Sequence, residues 1–319
     1  MEFEILLKNL TNPTLLFFVL GILAAILRSD LEIPASSSKF ISLYLLFSIG
    51  FKGGQELSHS VISREIVLSL VFAVVLAATI PLYTYFILRR KLESSDAAAI
   101  ASAYGSVSAV TFVAAVTFLE IQKIGYGGHM VAVMALMEAP AIIVGVLLHK
   151  ACSKEDPGRS ASLLFISRHI FTSGSVLLIL GSMLIGMIAD NSQAEGIKPF
   201  TTDIFKGFLA IFLLEMGMVT AKRFSAFLKY GWFVTCFAIA VPALNGCMAA
   251  YLSGFITDDT GNRFIFSILA ASASYIAVPA AMKIALPKAD PGLYVPMALG
   301  VTFPFNITLG MPLYYWMSS

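Results

Sequence analysis

Long, nearly uncharged apolar runs follow one another along almost the whole chain, and such a chain has the bilayer as its folding solvent. Charges and turn residues bound these runs at about 13–27, 39–51, 66–88, 97–119 and 128–148, then at 174–189, 204–220, 229–252, 262–286 and 293–317. A helix needs about 20 apolar residues to cross the roughly 30 Å of hydrocarbon, so each run predicts a transmembrane helix. A membrane β-barrel does not fit, because its strands are about ten residues of alternating polarity. The chain is 58% apolar and 13% charged over 319 residues, whereas a soluble domain carries roughly 25% charge. The predicted class is an all-α integral membrane protein of about ten transmembrane helices, with no room for a separate soluble domain.

Charge divides and orients the chain. The most polar stretch, Lys150 to Arg159, splits it into a first unit at 1–148, a linker at 149–161 and a second unit at 162–319, with five runs in each unit. Of the 21 Lys and Arg residues, 14 fall on one set of alternate loops and 7 on the other. The richer side is expected to be cytoplasmic, which puts both termini outside. The N-terminal Met1-Glu2-Phe3-Glu4 is acidic where a signal peptide is basic, so the first helix is expected to be retained. With an odd number of spans per unit, the second unit enters the membrane inverted relative to the first.

The two units also resemble each other in order. Leu20-Gly21 pairs with Leu180-Gly181, and Ile49-Gly50-Phe51 pairs with Met216-Gly217-Met218. In the fourth and ninth runs, Tyr104-Gly105-Ser106-Val107-Ser108-Ala109-Val110-Thr111 aligns with Ala270-Ala271-Ser272-Ala273-Ser274-Tyr275-Ile276-Ala277. Both contain Ser-x-Ser amid Ala and Ser. Inverted repeats with interrupted helices are the pattern of secondary carriers, whose substrate sits near the midplane.

A helix interrupted in mid-membrane leaves N–H groups unpaired at the start of its second half, with partial positive charge there. Two such ends facing each other bind a small anion without a fixed cation. The candidate anion-binding residues are therefore Ser106, Ser108, Ala109, Thr111, Ser272, Ser274 and Tyr275. Freed carbonyls and hydroxyls are hard ligands that suit Na⁺. Ser108, Thr111, Glu138, Ser272, Ser274 and Asn306 are the Na⁺ candidates. The competing explanation is that these small residues only let helices pack closely.

Other polar groups at membrane depth are functional candidates by default. Glu138, beside Pro140, is read either as a cation or proton site or as a buried acid bonded to backbone. Glu215 is read either as a titrating group or as a helix contact. Lys52 and Lys283 are expected to snorkel to the surface. Asn245, Thr302 and Asn306 suit interhelical bonding as well as ligation. The histidines 59, 129, 149 and 169 are read as interfacial. Cys236 and Cys247 are read as small buried hydrophobes.

Several functions are excluded. A net charge of +2 without basic–aromatic clusters gives no nucleic-acid footprint. No nucleophile–base order, zinc motif, Walker loop or dinucleotide glycine pattern falls on a suitable element, so neither an enzyme nor an ATP-driven pump is expected.

Taken together, Asn12-Pro13-Thr14-Leu15, Ile49 to Gly54, Tyr104 to Ala115 with Thr117 to Glu120, Met137 to Ala141, Met216-Gly217-Met218, Ala270 to Pro279 and Asp290 to Tyr294 resemble the sodium-dependent bicarbonate transporter family of cyanobacterial type. The resemblance implies two inverted five-helix repeats arranged as core and gate domains, a homotrimer, and Na⁺-coupled bicarbonate uptake between two broken helices. In the family the fourth-span motif is Ser-Gly-Ser-Thr; here it is Ser108-Ala109-Val110-Thr111. The ninth-span Ser-Ser-Ser-Asp becomes Ser272-Ala273-Ser274-Tyr275, which replaces a sodium-binding carboxylate by a phenol. The family's fifth-span Asp is Glu138, and its late seventh-span Glu is Val219, with Glu215 one turn earlier. The long linker that meets a PII-like signalling protein is largely missing, so that regulation is not expected. A carrier of another small carboxylate coupled to Na⁺ or H⁺ remains open, as does a membrane sensor that binds its ligand without transporting it.

Overall fold

In hydrocarbon no water bonds the backbone, so each apolar segment must satisfy its N–H and C=O groups internally as a helix. The computed structural model describes residues 13–58, 63–153, 174–227 and 231–319, and among them there is no strand. The helices of the first unit are α1 (Pro13–Ile26), α2 (Ala35–Ser58), α3 (Arg64–Leu88), α4 (Ser94–Gly105), α5 (Ala109–Gln122) and α6 (His129–Cys152). In the second unit they are α7 (Gly174–Ile188), α8 (Asn191–Lys198), α9 (Phe205–Phe227), α10 (Trp232–Ser253), α11 (Thr260–Ala271) and α12 (Ala277–Ala285). The last segment, α13 (Pro291–Ser318), contains π turns at Ala298–Thr302 and Asn306–Gly310. These wide turns absorb Pro304 and Pro312, which lack the N–H a regular helix needs.

Six described stretches are long and apolar enough to cross a bilayer: Arg64–Leu88, Ser94–Gln122, His129–Cys152, Ser192–Lys222, Trp232–Ser253 and Pro291–Ser318. Burial separates their roles. The stretch Ser94–Gln122, which covers α4 and α5, is 94% buried, whereas Arg64–Leu88 is 33% buried. The first is enclosed by other helices; the second turns Val67, Val71 and Phe86 outward. Beyond residue 153 the polar linker lies outside the described residues, as do His59 and His169.

Tight helix pairs form where glycines allow it. α1 packs along α9, and α2 packs along α7. A methyl group at Gly21 would overlap the Leu214 carbonyl, and one at Gly217 would overlap that of Phe18. Gly50 and Gly54 meet Ser182 and the Met183 carbonyl in the same way, so these backbones touch. This packing extends α2 well past the apolar run at 39–51, taking in Ser36–Ser38 before it and Lys52–Ser58 after it. Gly181 faces open space, so the small residues of α7 that meet α2 are Ser182, one position beyond the residue aligned with Gly21, and Gly186, which lies against the Phe51 carbonyl.

Buried polar groups tie the remaining helices. The Tyr104 hydroxyl lies 2.7 Å from Thr302 Oγ1, which donates to the Ala238 carbonyl at 2.8 Å. Tyr83 donates to Asn245 Oδ1. Tyr104→Phe removes one bond while leaving Thr302 satisfied, and is expected to cost about 1 kcal/mol in detergent unfolding. A cost below about 0.3 kcal/mol would show that the hydroxyl pair adds nothing.

Three sequence expectations change. His129 and His149 stand near the ends of α6 but are buried, and His149 Nδ1 lies 3.0 Å from Ser94 Oγ. Cys236 is exposed on α10, because a thiol is apolar enough to face lipid. Lys52 does not reach freely outward; it pairs with Glu120.

Candidate functional site

Helical bonding stops after α4 and resumes at α5 because serine side chains compete with the backbone. The last bond of α4 runs from Ser106 N–H to the Ser102 carbonyl at 3.0 Å, and Ser106 and Ser108 are extended. Ser108 then caps α5, its Oγ accepting from Thr111 N–H at 3.2 Å. In the second unit α11 ends at Ala271, Ser272 is extended, and its Oγ donates to the Leu269 carbonyl at 2.9 Å. α12 begins at Ala277.

Hydrogen bonds lace the two connections together. Ser108 N–H donates to Ser272 Oγ at 3.0 Å, and Ser274 N–H donates to the Ala103 carbonyl at 2.8 Å. Ser274 Oγ accepts a long bond of 3.4 Å from Val278 N–H. Residues 164 and 171 positions apart are thus held within one small volume.

Beside them lies a cavity of about 40 Å³. Its polar wall is Ser108, Ser274, Tyr275 and Glu138, and the first residues of α5 and α12, Ala109 and Ala277, complete that side. Leu46 of α2, Ile179 of α7, and Met134 and Ala135 of α6 close it with apolar surface. A water needs about 10–15 Å³ of such space, so the cavity suits a guest of a few heavy atoms.

The remaining candidates sit behind this wall. Ser272 is buried and spends both functions of its hydroxyl on Ser108 N–H and the Leu269 carbonyl. Ser106 is buried with its Oγ unpartnered among the described residues. Thr111 is buried in the first turn of α5. Asn306 does not line the cavity: its Nδ2 donates to the Ala271 carbonyl at 2.7 Å, and its Oδ1 accepts from Tyr314 at 3.2 Å. It ties α13 to the end of α11.

The electrostatic character of the pocket follows from helix ends and one carboxylate. Ser108 N–H and Thr111 N–H are occupied, which leaves Ala109 and Val110 as the first-turn donors of α5 with no bond among the described residues. Unpaired N–H groups at two helix starts favour negative charge. Glu138 enters the same cavity with no described hydrogen-bond or ionic partner, and when ionised it has the opposite preference. Its carboxylate and the Ser108 and Ser274 hydroxyls are hard oxygen donors, a set that fits Na⁺ rather than a soft metal.

Sequence reasoning missed the apolar half of the pocket. Leu46, Ile179 and Met134 carry no chemical signal, since Leu, Ile and Met are everywhere in such a chain. The ion cluster of Lys52, Glu120 and Lys206 was equally invisible, because its members lie on three separate helices.

A multi-pass helical membrane protein with a small cavity between helix starts, polar on one wall, is the class these features define. The family profile described as the Na⁺-dependent bicarbonate transporter superfamily matches residues 13–319, nearly the whole chain. The chain belongs to this family. No curated protein matches it significantly.

Proposed function

We propose that the protein takes up bicarbonate by Na⁺-coupled secondary transport, with the anion held between the starts of α5 and α12. The observation carrying this reading is that Ser108, Ala109, Ser274 and Ala277, from opposite halves of the chain, line one cavity. Its size favours bicarbonate over a larger organic anion. Packing supports an inverted repeat: exchanging each span for its counterpart five spans away turns the α1–α9 pair into the α7–α2 pair, and both pairs are close. On this reading ten spans cross the bacterial inner membrane with both termini outside, and the protein assembles as a homotrimer. Spans one, two, six and seven (α1, α2, α7 and α9) form the gate, and the rest form the core.

Glu138 decides the coupling. Two unit charges 4 Å apart repel by about 4 kcal/mol at an effective dielectric of 20, roughly a thousandfold in affinity. An anion therefore enters only when a cation, Na⁺ on this reading, offsets the carboxylate, with Ser108 and Ser274 lining the same cavity. Glu138→Gln should bring bicarbonate affinity with Na⁺ and with choline to within about threefold of each other. Thermal stabilisation by bicarbonate in each salt reads this out; an undiminished Na⁺ requirement would return Glu138 to a structural role.

The decisive experiment is uptake by purified protein in liposomes. Saturable, Na⁺-dependent bicarbonate flux is expected. Na⁺-dependent binding without flux of any anion would instead make the protein a ligand sensor.

A further inference from the structure

The starting observation is a carboxylate shared by two lysines across a helix boundary. Glu120 closes α5, and its Oε1 lies 3.7 Å from Lys52 Nζ of α2 while its Oε2 lies 3.5 Å from Lys206 Nζ of α9. Lys52 and Glu120 keep only 29% and 31% of their side-chain surface exposed. Lys52 Nζ also sits 5.7 Å from the centre of the Phe205 ring, which holds it in place from the α9 side.

The partners belong to different packing sets. α2 and α9 lie in the glycine-packed pairs with α7 and α1, whereas α5 packs against α11 and follows the interrupted segment. The same boundary is closed by backbone one residue further along α2. A methyl group at Gly128 would overlap the Gly53 carbonyl, and one at Gly53 would overlap Val131. On the far side of Lys52 opens a cavity of about 350 Å³, lined also by Gln55, Glu56, Lys198, Thr201 and Thr202. On the near side, deeper along α2, Leu46 lines the central cavity.

We propose that Lys52, Glu120 and Lys206 form an ionic latch that separates an outer vestibule from the central cavity and must open for the anion to enter. The proposal rests on the orientation and the gate–core division given above. Glu120 occupies the two cations that an incoming anion would otherwise meet. Opening parts α5 from α2 and α9 and frees both lysines towards the vestibule. Ion pairs this exposed are weak. That weakness suits a contact broken in every cycle, with the Gly53–Gly128 approach adding shape to the seal.

The test uses the full chain in proteoliposomes, with its three cysteines replaced by serine and Leu46→Cys as the reporter. A membrane-impermeant thiol reagent is added outside. Glu120→Gln removes both ion pairs and should raise the labelling rate several-fold. Choline chloride near 1 M shortens the screening length to about 3 Å, and should raise the parent's rate but not that of Glu120→Gln. In a second variant, Lys52→Cys with Glu120→Cys, disulfide formation should nearly stop labelling of the reporter, and reductant should restore it. A parent-like rate in Glu120→Gln, salt-independent labelling of the parent, or labelling of the cross-linked form as fast as the reduced form would each overturn the latch. No readout involves bicarbonate, so failure here is distinct from a failure of the transport reading.

Discussion

Ser274→Leu is expected to weaken bicarbonate binding at least about 100-fold, a loss of about 2.7 kcal/mol, while the protein still folds. Ser274 is 2% exposed and lines a cavity of about 40 Å³. Its backbone bond to Ala103 survives any side chain, and its hydroxyl takes only the long bond from Val278 N–H. The substitution therefore costs the fold little. The added carbons fill the space a guest needs and hold it off the N–H groups of the two helix starts. Ser274→Ala is the control: it keeps the space and loses one polar contact, so affinity should fall only about fivefold, or about 1 kcal/mol. A ligand at 100 times its dissociation constant stabilises the folded state by about 2.7 kcal/mol, which makes thermal unfolding with and without bicarbonate a direct readout. Undiminished stabilisation of Ser274→Leu would remove the cavity from the mechanism.

Gly217→Leu is expected to prevent α1 and α9 from docking, with loss of monodisperse protein after detergent extraction. In a bilayer, association rests on close packing, because lipid tails are as apolar as the helix surfaces. A side chain at Gly217 meets the Phe18 carbonyl, the Ile22 amide and the Gly21 Cα, all of them backbone that no rotamer change moves aside. Overpacking a soluble core costs roughly 1–3 kcal/mol; a clash against backbone that cannot move aside costs more. Gly181→Ala should behave oppositely. A methyl there meets nothing, so the helix keeps its packing and is stabilised by about 0.5–1 kcal/mol. If Gly217→Leu folds as well as Gly181→Ala, the backbone contact is not what holds the pair.

These two glycines show where sequence reading stops. Gly21 and Gly181 align in the repeat comparison, yet one touches a neighbouring backbone and the other faces open space. The polar half of the pocket was readable, since Ser108, Ser274 and Glu138 are conspicuous in apolar runs. Their apolar neighbours Leu46 and Ile179 were not. Asn306 was a ligand candidate by residue type, and only the neighbouring Ala271 carbonyl and Tyr314 explain its orientation.

Local composition alone determined that the chain is helical and embedded in membrane, because burying a backbone in hydrocarbon leaves helices as the outcome for long apolar runs. The helices α3, α6 and α10 accordingly cover most or all of the runs 66–88, 128–148 and 229–252. Tertiary structure alone decided which face of each helix meets protein and which meets lipid. In water, polarity separates the two faces of a helix; in a bilayer both are apolar, and the choice falls to shape. That is why Gly217 packs against α1, why Leu177 and Ile188 of α7 turn outward, and why Lys52 finds Glu120, 68 positions along the chain.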